Sequence, residues 1–167
     1  MTTNNPTHAE CPFCKRFHQA FRNAQGVFSD SIALVLVHFP LIQHKFARGA
    51  TRAAVCAAEQ GRFSEYADAL FAAQDSLGLK TWAQYAADAS GIDEVRLKEC
   101  VDNPSSDAAV EAGLEAGERF GVQYTPTVMI NGWQHSVPPT EKQLVEAVRG
   151  IVLAQSVGVV GAQPLLR

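Results

Sequence analysis

The run Ile32-Ala33-Leu34-Val35-Leu36-Val37-His38-Phe39, closed by Pro40, restricts how this chain can fold more than any other segment. It is uncharged, rich in β-branched residues and continuously apolar rather than alternating. That pattern predicts a strand buried on both faces, as in a parallel or mixed sheet covered by helices. The chain has 167 residues, 47% of them hydrophobic, which suits one compact domain able to bury a core without staples.

The segments around the strand supply the helices. Residues Pro12 to Ala24 place Phe13, Phe17, Ala20, Phe21 and Ala24 at helical spacing, with Pro12 in the first turn and Gly26 at or beyond the end. From Lys45 to Phe120 the pattern is helical throughout, punctuated by Gly61, Gly78, Gly91 and Asn103-Pro104. Thr81 with Gln84 predicts a capping box, and Ser105, Ser106 and Asp107 offer caps for the last of these helices. The period then changes. Val128-Met129-Ile130 reads as a strand turned by Asn131-Gly132 into a partner at Trp133 to Val137. Thr140 with Gln143 starts a final amphipathic helix carrying Leu144, Val145, Val148, Ile151 and Val152.

The expected organisation is an α/β domain with four parts. Residues 1–10 are a polar segment, 11–44 and 121–155 form the core, 45–120 are a helical insertion capping one end of the sheet, and 156–167 are an unassigned tail. The insertion is too long and too well patterned to be a loop.

Charge excludes one class of function. Fourteen Lys and Arg are scattered among 17 Asp and Glu, giving a net charge of −3, so no basic face exists for nucleic acid. No apolar run approaches the ~18 residues of a membrane span. Residues 1–10 lack the basic start and apolar stretch of a secretory signal. As the chain stands this points to the cytoplasm, or to a periplasmic or secreted protein if an upstream signal has been lost.

The chemistry is concentrated at Cys11-Pro12-Phe13-Cys14. Two thiols three apart at a helix start lie on one side of the first turn, close enough to join with little backbone motion. Cys11 sits where unpaired amides and the helix dipole favour a thiolate, with Lys15 and Arg16 adding to that effect and Glu10 opposing it. Cys11 is then the attacking and leaving sulfur, and Cys14 the resolving thiol. The competing reading is half a zinc site. It lacks a second pair, because Cys56 and Cys100 are single and on separate predicted helices, so no metal is assigned. Thr125-Pro126-Thr127, entering a strand, fits only its first residue or an edge; taken alone, its X-Pro bond is expected to be trans.

Taken together, CPFC, the His38-Phe39-Pro40-Leu41 strand end, Glu59-Gln60-Gly61-Arg62-Phe63, Thr125-Pro126-Thr127 and Ile130-Asn131-Gly132 resemble the DsbA-like thiol–disulfide oxidoreductases over roughly residues 11 to 153. The resemblance implies a thioredoxin-like mixed sheet with a helical insertion. It also implies a cis Pro126 facing the dithiol, and a Thr125 backbone that offers strand-like hydrogen bonds to an extended substrate and tunes the redox pair. Phe13, inside the motif, is a candidate substrate contact.

One departure stands out. Such folds carry an apolar central strand directly into the CxxC helix, whereas residues 1–10 hold no Val, Ile, Leu or aromatic and are interrupted by Pro6. The central strand is therefore expected to be missing. The alternatives are a start lying upstream, the Val157 to Val160 tail or a second chain filling the gap, or a truncated relic.

Cys56 and Cys100 either bridge two insert helices as a structural disulfide or remain buried thiols; without an oxidising compartment the free thiols are favoured. His18, one turn beyond Cys14, is read as a partly exposed surface residue with a modulating role as the alternative. His38 is expected to bond locally, and His8, His44 and His135 show no ligand spacing. Trp82 and Tyr85 read as packing. The expected activity is disulfide exchange with protein or small thiol substrates and a redox partner, without a cofactor and with its direction open. The rivals are a non-catalytic thioredoxin-fold peptide-binding protein and a glutathione-dependent relative.

Overall fold

The computed structural model, which describes residues 2–7, 9–28, 32–135 and 137–156, contains a four-stranded mixed sheet. β1 spans Thr2–Thr7, β2 Ala33–His38, β3 Val128–Ile130 and β4 Trp133–His135, and their order across the sheet is β2-β1-β3-β4. β1 runs parallel to β2, from Thr2 opposite Ala33 to Thr7 opposite His38. On its other side it runs antiparallel to β3, with Thr3 opposite Ile130 and Asn4 opposite Met129.

The missing central strand is thus a correction: residues 2–7, assigned to a polar segment outside the core, are that strand. Pairing on both sides is made by backbone amides and carbonyls, which Thr and Asn supply as well as Val does. Pro6 lacks an amide, but it lies opposite Val37 and beyond the two residues that pair with β3. With the gap filled, the argument for a relic loses its ground. The readings of His8 and of Val157 to Val160 lie outside the described residues.

β2 brings a second correction. It was expected to be buried on both faces, yet it is the edge strand and leaves Ala33 and Val35 exposed. Ile32 and Leu34 turn to the core, and Leu36 and His38 turn to the insert. Its β-branched residues favour extended backbone whether or not both faces are covered.

α1, Pro12–Val27, and α7, Glu141–Ser156, pack together on the sheet through Phe17, Phe21, Leu144 and Val148 against Val128 and Ile130. Burying each of these large side chains stabilises the fold by about 1.5–3 kcal/mol. Gly26 lies inside α1 rather than ending it. The Asn131-Gly132 turn has positive φ at both residues, 50° and 86°, as a tight hairpin requires.

Between β2 and β3 stand α2 (Ala47–Ala58), α3 (Phe63–Ala72), α4 (Trp82–Asp88), α5 (Glu94–Asp102) and α6 (Asp107–Arg119). They share a core built on Tyr66, Leu70, Tyr85 and Leu97. The Thr81–Gln84 capping box is formed at α4, and Thr140 and Gln143 exchange hydrogen bonds at the start of α7. α6 begins after Ser106 with no side-chain cap; instead the Asn103 side chain accepts from the Ser105 amide. Cys56 of α2 and Cys100 of α5 are joined as a disulfide, so the free-thiol reading gives way to the bridged one.

A disulfide closing a loop of this length, at a sequence separation of 44, stabilises by about 2–4 kcal/mol. The Cys56→Ala/Cys100→Ala double variant is expected to lose that much in urea unfolding, and a loss under about 1 kcal/mol would contradict a structural role. A Cβ on Gly113 would stand 2.2 Å from the His38 carbonyl oxygen, where α6 crosses β2. Gly113→Ala should therefore cost about 2 kcal/mol by overpacking. Gly26→Ala, with nothing within 4 Å, should be neutral or stabilising.

Candidate active site

β1 and α1 bring Cys11 to the end of the sheet. Cys11 is the N-cap of α1, in extended conformation, and its sulfur accepts from the Cys14 amide at 3.4 Å. Pro12 fills the first helical position, where the missing amide costs nothing. Helical spacing then returns Cys14 to the same side, where it is wholly buried. The two thiols are not joined as a disulfide and share a cluster with Phe71 of α3.

The Thr125–Thr127 loop meets them from β3. As a thiol, Cys11 donates from Sγ to the Thr125 carbonyl at 3.3 Å, across 114 residues of chain. The Thr125–Pro126 peptide bond is cis, and Pro126 is fully buried. Thr127 Oγ1 donates to the Tyr124 carbonyl at 2.6 Å, which ties the loop to itself ahead of β3. Cys11, Cys14, Thr125 and Pro126, assigned from distant parts of the sequence, are therefore brought together. Phe13 is 59% exposed, with the Arg16 guanidinium 4.5 Å from its ring centre.

The Cys11 thiol is pulled down to about 6. The largest cause is its hydrogen bond with the Cys14 side chain. Burial opposes that effect, and the Cys14 amide, the Thr125 side chain and the Phe13 amide assist it. The Thr125 carbonyl acts in the other sense, since it bonds only the protonated sulfur. Lys15 and Arg16, expected to stabilise the thiolate, are not among the causes, and Arg16 is engaged by Phe13. Glu10 is likewise turned aside: its carboxylate accepts from the Phe46 amide at 2.7 Å.

Sequence reasoning did not anticipate three features. His18 is buried, not partly exposed, and its Nε2 lies 2.6 Å from Asp68 Oδ1 of α3. Nothing near His18 in sequence announces a carboxylate 50 residues away. His38 is half-buried, its desolvation among apolar groups depresses it to about 4, and its ring stands edge-on to Phe63. A groove of about 630 Å³ lies between α1 and the segment leading into α7, lined by Phe13, Phe17, Val137 and Pro138 together with the polar Arg16 and Glu141. Among the described residues, no cluster of three His, Cys, Asp or Glu is placed to hold a metal. Cys56 and Cys100 lie in the insert's core and not at the dithiol.

Residues 7–149 match the family model described as thioredoxin. The chain belongs to the thioredoxin family. Its arrangement, with five helices inserted between β2 and β3, is DsbA-like. BdbD from Bacillus subtilis superimposes with a TM-score of 0.72 at 19% identity, over 96% of this chain and 88% of that one. DsbA2 from Pseudomonas aeruginosa superimposes with a TM-score of 0.63 at 24% identity, over 90% and 87%. In sequence, the chain is 36% identical over 142 residues to the Na(+)/H(+) antiporter NhaA 1 of Mycolicibacterium vanbaalenii. That match takes in 83% of this chain but only 23% of the relative's length. No helix among the described residues is long and apolar enough to cross a membrane.

The depressed Cys11 thiol gives a direct expectation. Ultraviolet thiolate absorbance of the reduced protein should titrate with a midpoint near 6. Because the folded value lies below that of a free thiol, the thiolate stabilises the reduced fold at high pH, and this contribution is lost as pH falls through the folded value. A midpoint at the free-thiol value of about 8.5 would show that the hydrogen bonds do not hold the anion.

Proposed function

We propose that this chain is a thiol–disulfide oxidoreductase in which Cys11 attacks and Cys14 resolves. The observation that carries the reading is the pairing of a low-lying Cys11 thiol with a buried Cys14 one helical turn away. The Cys11 thiolate attacks a substrate disulfide and expels one sulfur as thiolate. Cys14 then displaces the other, closing the Cys11–Cys14 bond while two electrons pass to the substrate. Run backwards, the same steps oxidise a substrate dithiol. The dithiol is itself the two-electron carrier, and no cofactor enters the cycle.

Thr125 and Pro126 form the wall against which an extended substrate would lie, with the Thr125 backbone as its hydrogen-bonding partner. Phe13 and the adjoining groove would hold apolar side chains of a protein substrate. Stabilising the thiolate favours the reduced state of the pair, by about 1 kcal/mol at neutral pH, and so favours donating the disulfide to substrates. The Cys56–Cys100 bridge supports a place in an oxidising compartment, periplasmic or extracellular, over the cytoplasm.

The test is exchange with a model disulfide and a reduced protein substrate. Cys11→Ala is expected to abolish both reactions. Cys14→Ala should leave the first attack intact and accumulate mixed disulfides visible by mass. Unchanged turnover in Cys11→Ala would refute this mechanism, and absence of exchange in the unsubstituted protein would favour the non-catalytic peptide-binding reading.

A further inference from the structure

Resolution of the mixed disulfide sets a problem that the two cysteines do not solve between them. Cys14 must react as a thiolate, yet it has no exposed surface from which water could take its proton. Before attack, Cys11 can share that proton. Once Cys11 is bonded to substrate it carries no charge and accepts nothing.

His18 stands one turn further along the same face of α1. Side chains on a helix lean toward its N-terminus, which directs His18 toward the turn that carries Cys14. Phe71 closes over both: it packs with Cys11 and Cys14, and its ring centre is 4.6 Å from that of His18. Asp68 Oδ1 accepts from His18 Nε2–H at 2.6 Å, which fixes the proton on that nitrogen and leaves Nδ1 as an acceptor. Asp68 is held in turn by Arg22 Nη2 at 2.9 Å. A cavity of about 230 Å³ lined by Lys15, His18, Arg22, Asp68 and Phe71 adjoins the pair. Arg22 and Asp68 are each 40% exposed, so this cavity reaches solvent.

We propose that His18, positioned by Asp68, is the proton acceptor for Cys14 in the step that resolves the mixed disulfide; this rests on the exchange reading above. Cys14 gives its proton to His18 Nδ1, and the sulfur electron pair forms the bond to Cys11 Sγ. The bond from Cys11 to substrate breaks, and the substrate sulfur leaves as a thiolate, protonated by His18 or through the cavity by water. In the oxidising direction His18 returns the proton to Cys14. Burial draws His18 below the usual histidine value while Asp68 opposes this, so the ring is neutral at pH 7 and able to accept a proton. The titratable and charged groups around it are Lys15 and Arg22 on α1 and Asp68 on α3, with Cys14 one turn before it on the same helix face.

The experiment is stopped-flow reaction of the reduced protein with 5,5′-dithiobis(2-nitrobenzoate), in which Cys11 releases the first thionitrobenzoate and Cys14 the second. In His18→Gln the second release should slow at least about tenfold at pH 7 while the first stays within about twofold. Its pH profile should lose the histidine inflection and rise steadily with hydroxide. Asp68→Asn should slow the second release less and move the inflection to lower pH. An unchanged second phase in His18→Gln, or equal slowing of both phases, would overturn the proposal. If His18→Gln does not fold, Asp68→Asn decides by the same two readouts. A wild-type protein that releases no thionitrobenzoate, or release that survives Cys11→Ala, would refute exchange itself rather than the role of His18.

Discussion

Because β1 pairs with β2 on one side and β3 on the other, the two segments that meet at the dithiol are carried by adjacent strands. β1 delivers Cys11 and α1; the Thr125–Thr127 loop leads directly into β3. The 3.3 Å approach of Cys11 Sγ to the Thr125 carbonyl is a consequence of that pairing, since no local contact could join residues so far apart in sequence. The register also explains why short strands suffice. Two residues of β1 pair with β3, and the remaining length is stabilised against β2.

The electrostatics of the site follow from hydrogen bonds rather than from nearby charge. Cys11 is enclosed, which alone would raise its thiol, yet hydrogen bonds from Cys14 and from the first-turn amides hold the anion. Surface cations would have done this less reliably, because Lys15 and Arg16 sit in water and are screened. A thiolate held by fixed donors is indifferent to salt. It also disappears when α1 unfolds, which couples reactivity to the integrity of the helix.

Much of this was legible where local chemistry decides structure. Pro12 at a helix start, Asn131-Gly132 between apolar runs, and the Thr81–Gln84 and Thr140–Gln143 pairs each act within a few residues, and each took the form its sequence implies. β1 was not legible because hydrophobic pattern reports side-chain burial, whereas Thr2–Thr7 are positioned by backbone pairing. β2 misled for the complementary reason: its apolar run reflects preference for extended backbone as much as burial, and Val35 faces outward at a sheet edge. His18 was misread because its burial is created by Phe71 and Asp68, residues of a helix that sequence spacing could not dock against α1.

That docking gives the insert a second role beyond covering the sheet. α3 supplies Phe71 against the two cysteines and Asp68 against His18, so one wall of the dithiol belongs to the insertion. The segment just before Cys11 is pinned by the same unit: the Gln74 side chain donates to the Ala9 carbonyl, and Glu10 accepts from Phe46. A polar strand with no large apolar anchor in its sequence needs such external fastening at the end where precision matters. The Cys56–Cys100 bridge ties α2 to α5, and α2 packs against α3, so the covalent staple lies one helix away from the wall it steadies. The insert thus contributes stability at a distance and geometry at the site, and the two are linked through the packing of α3.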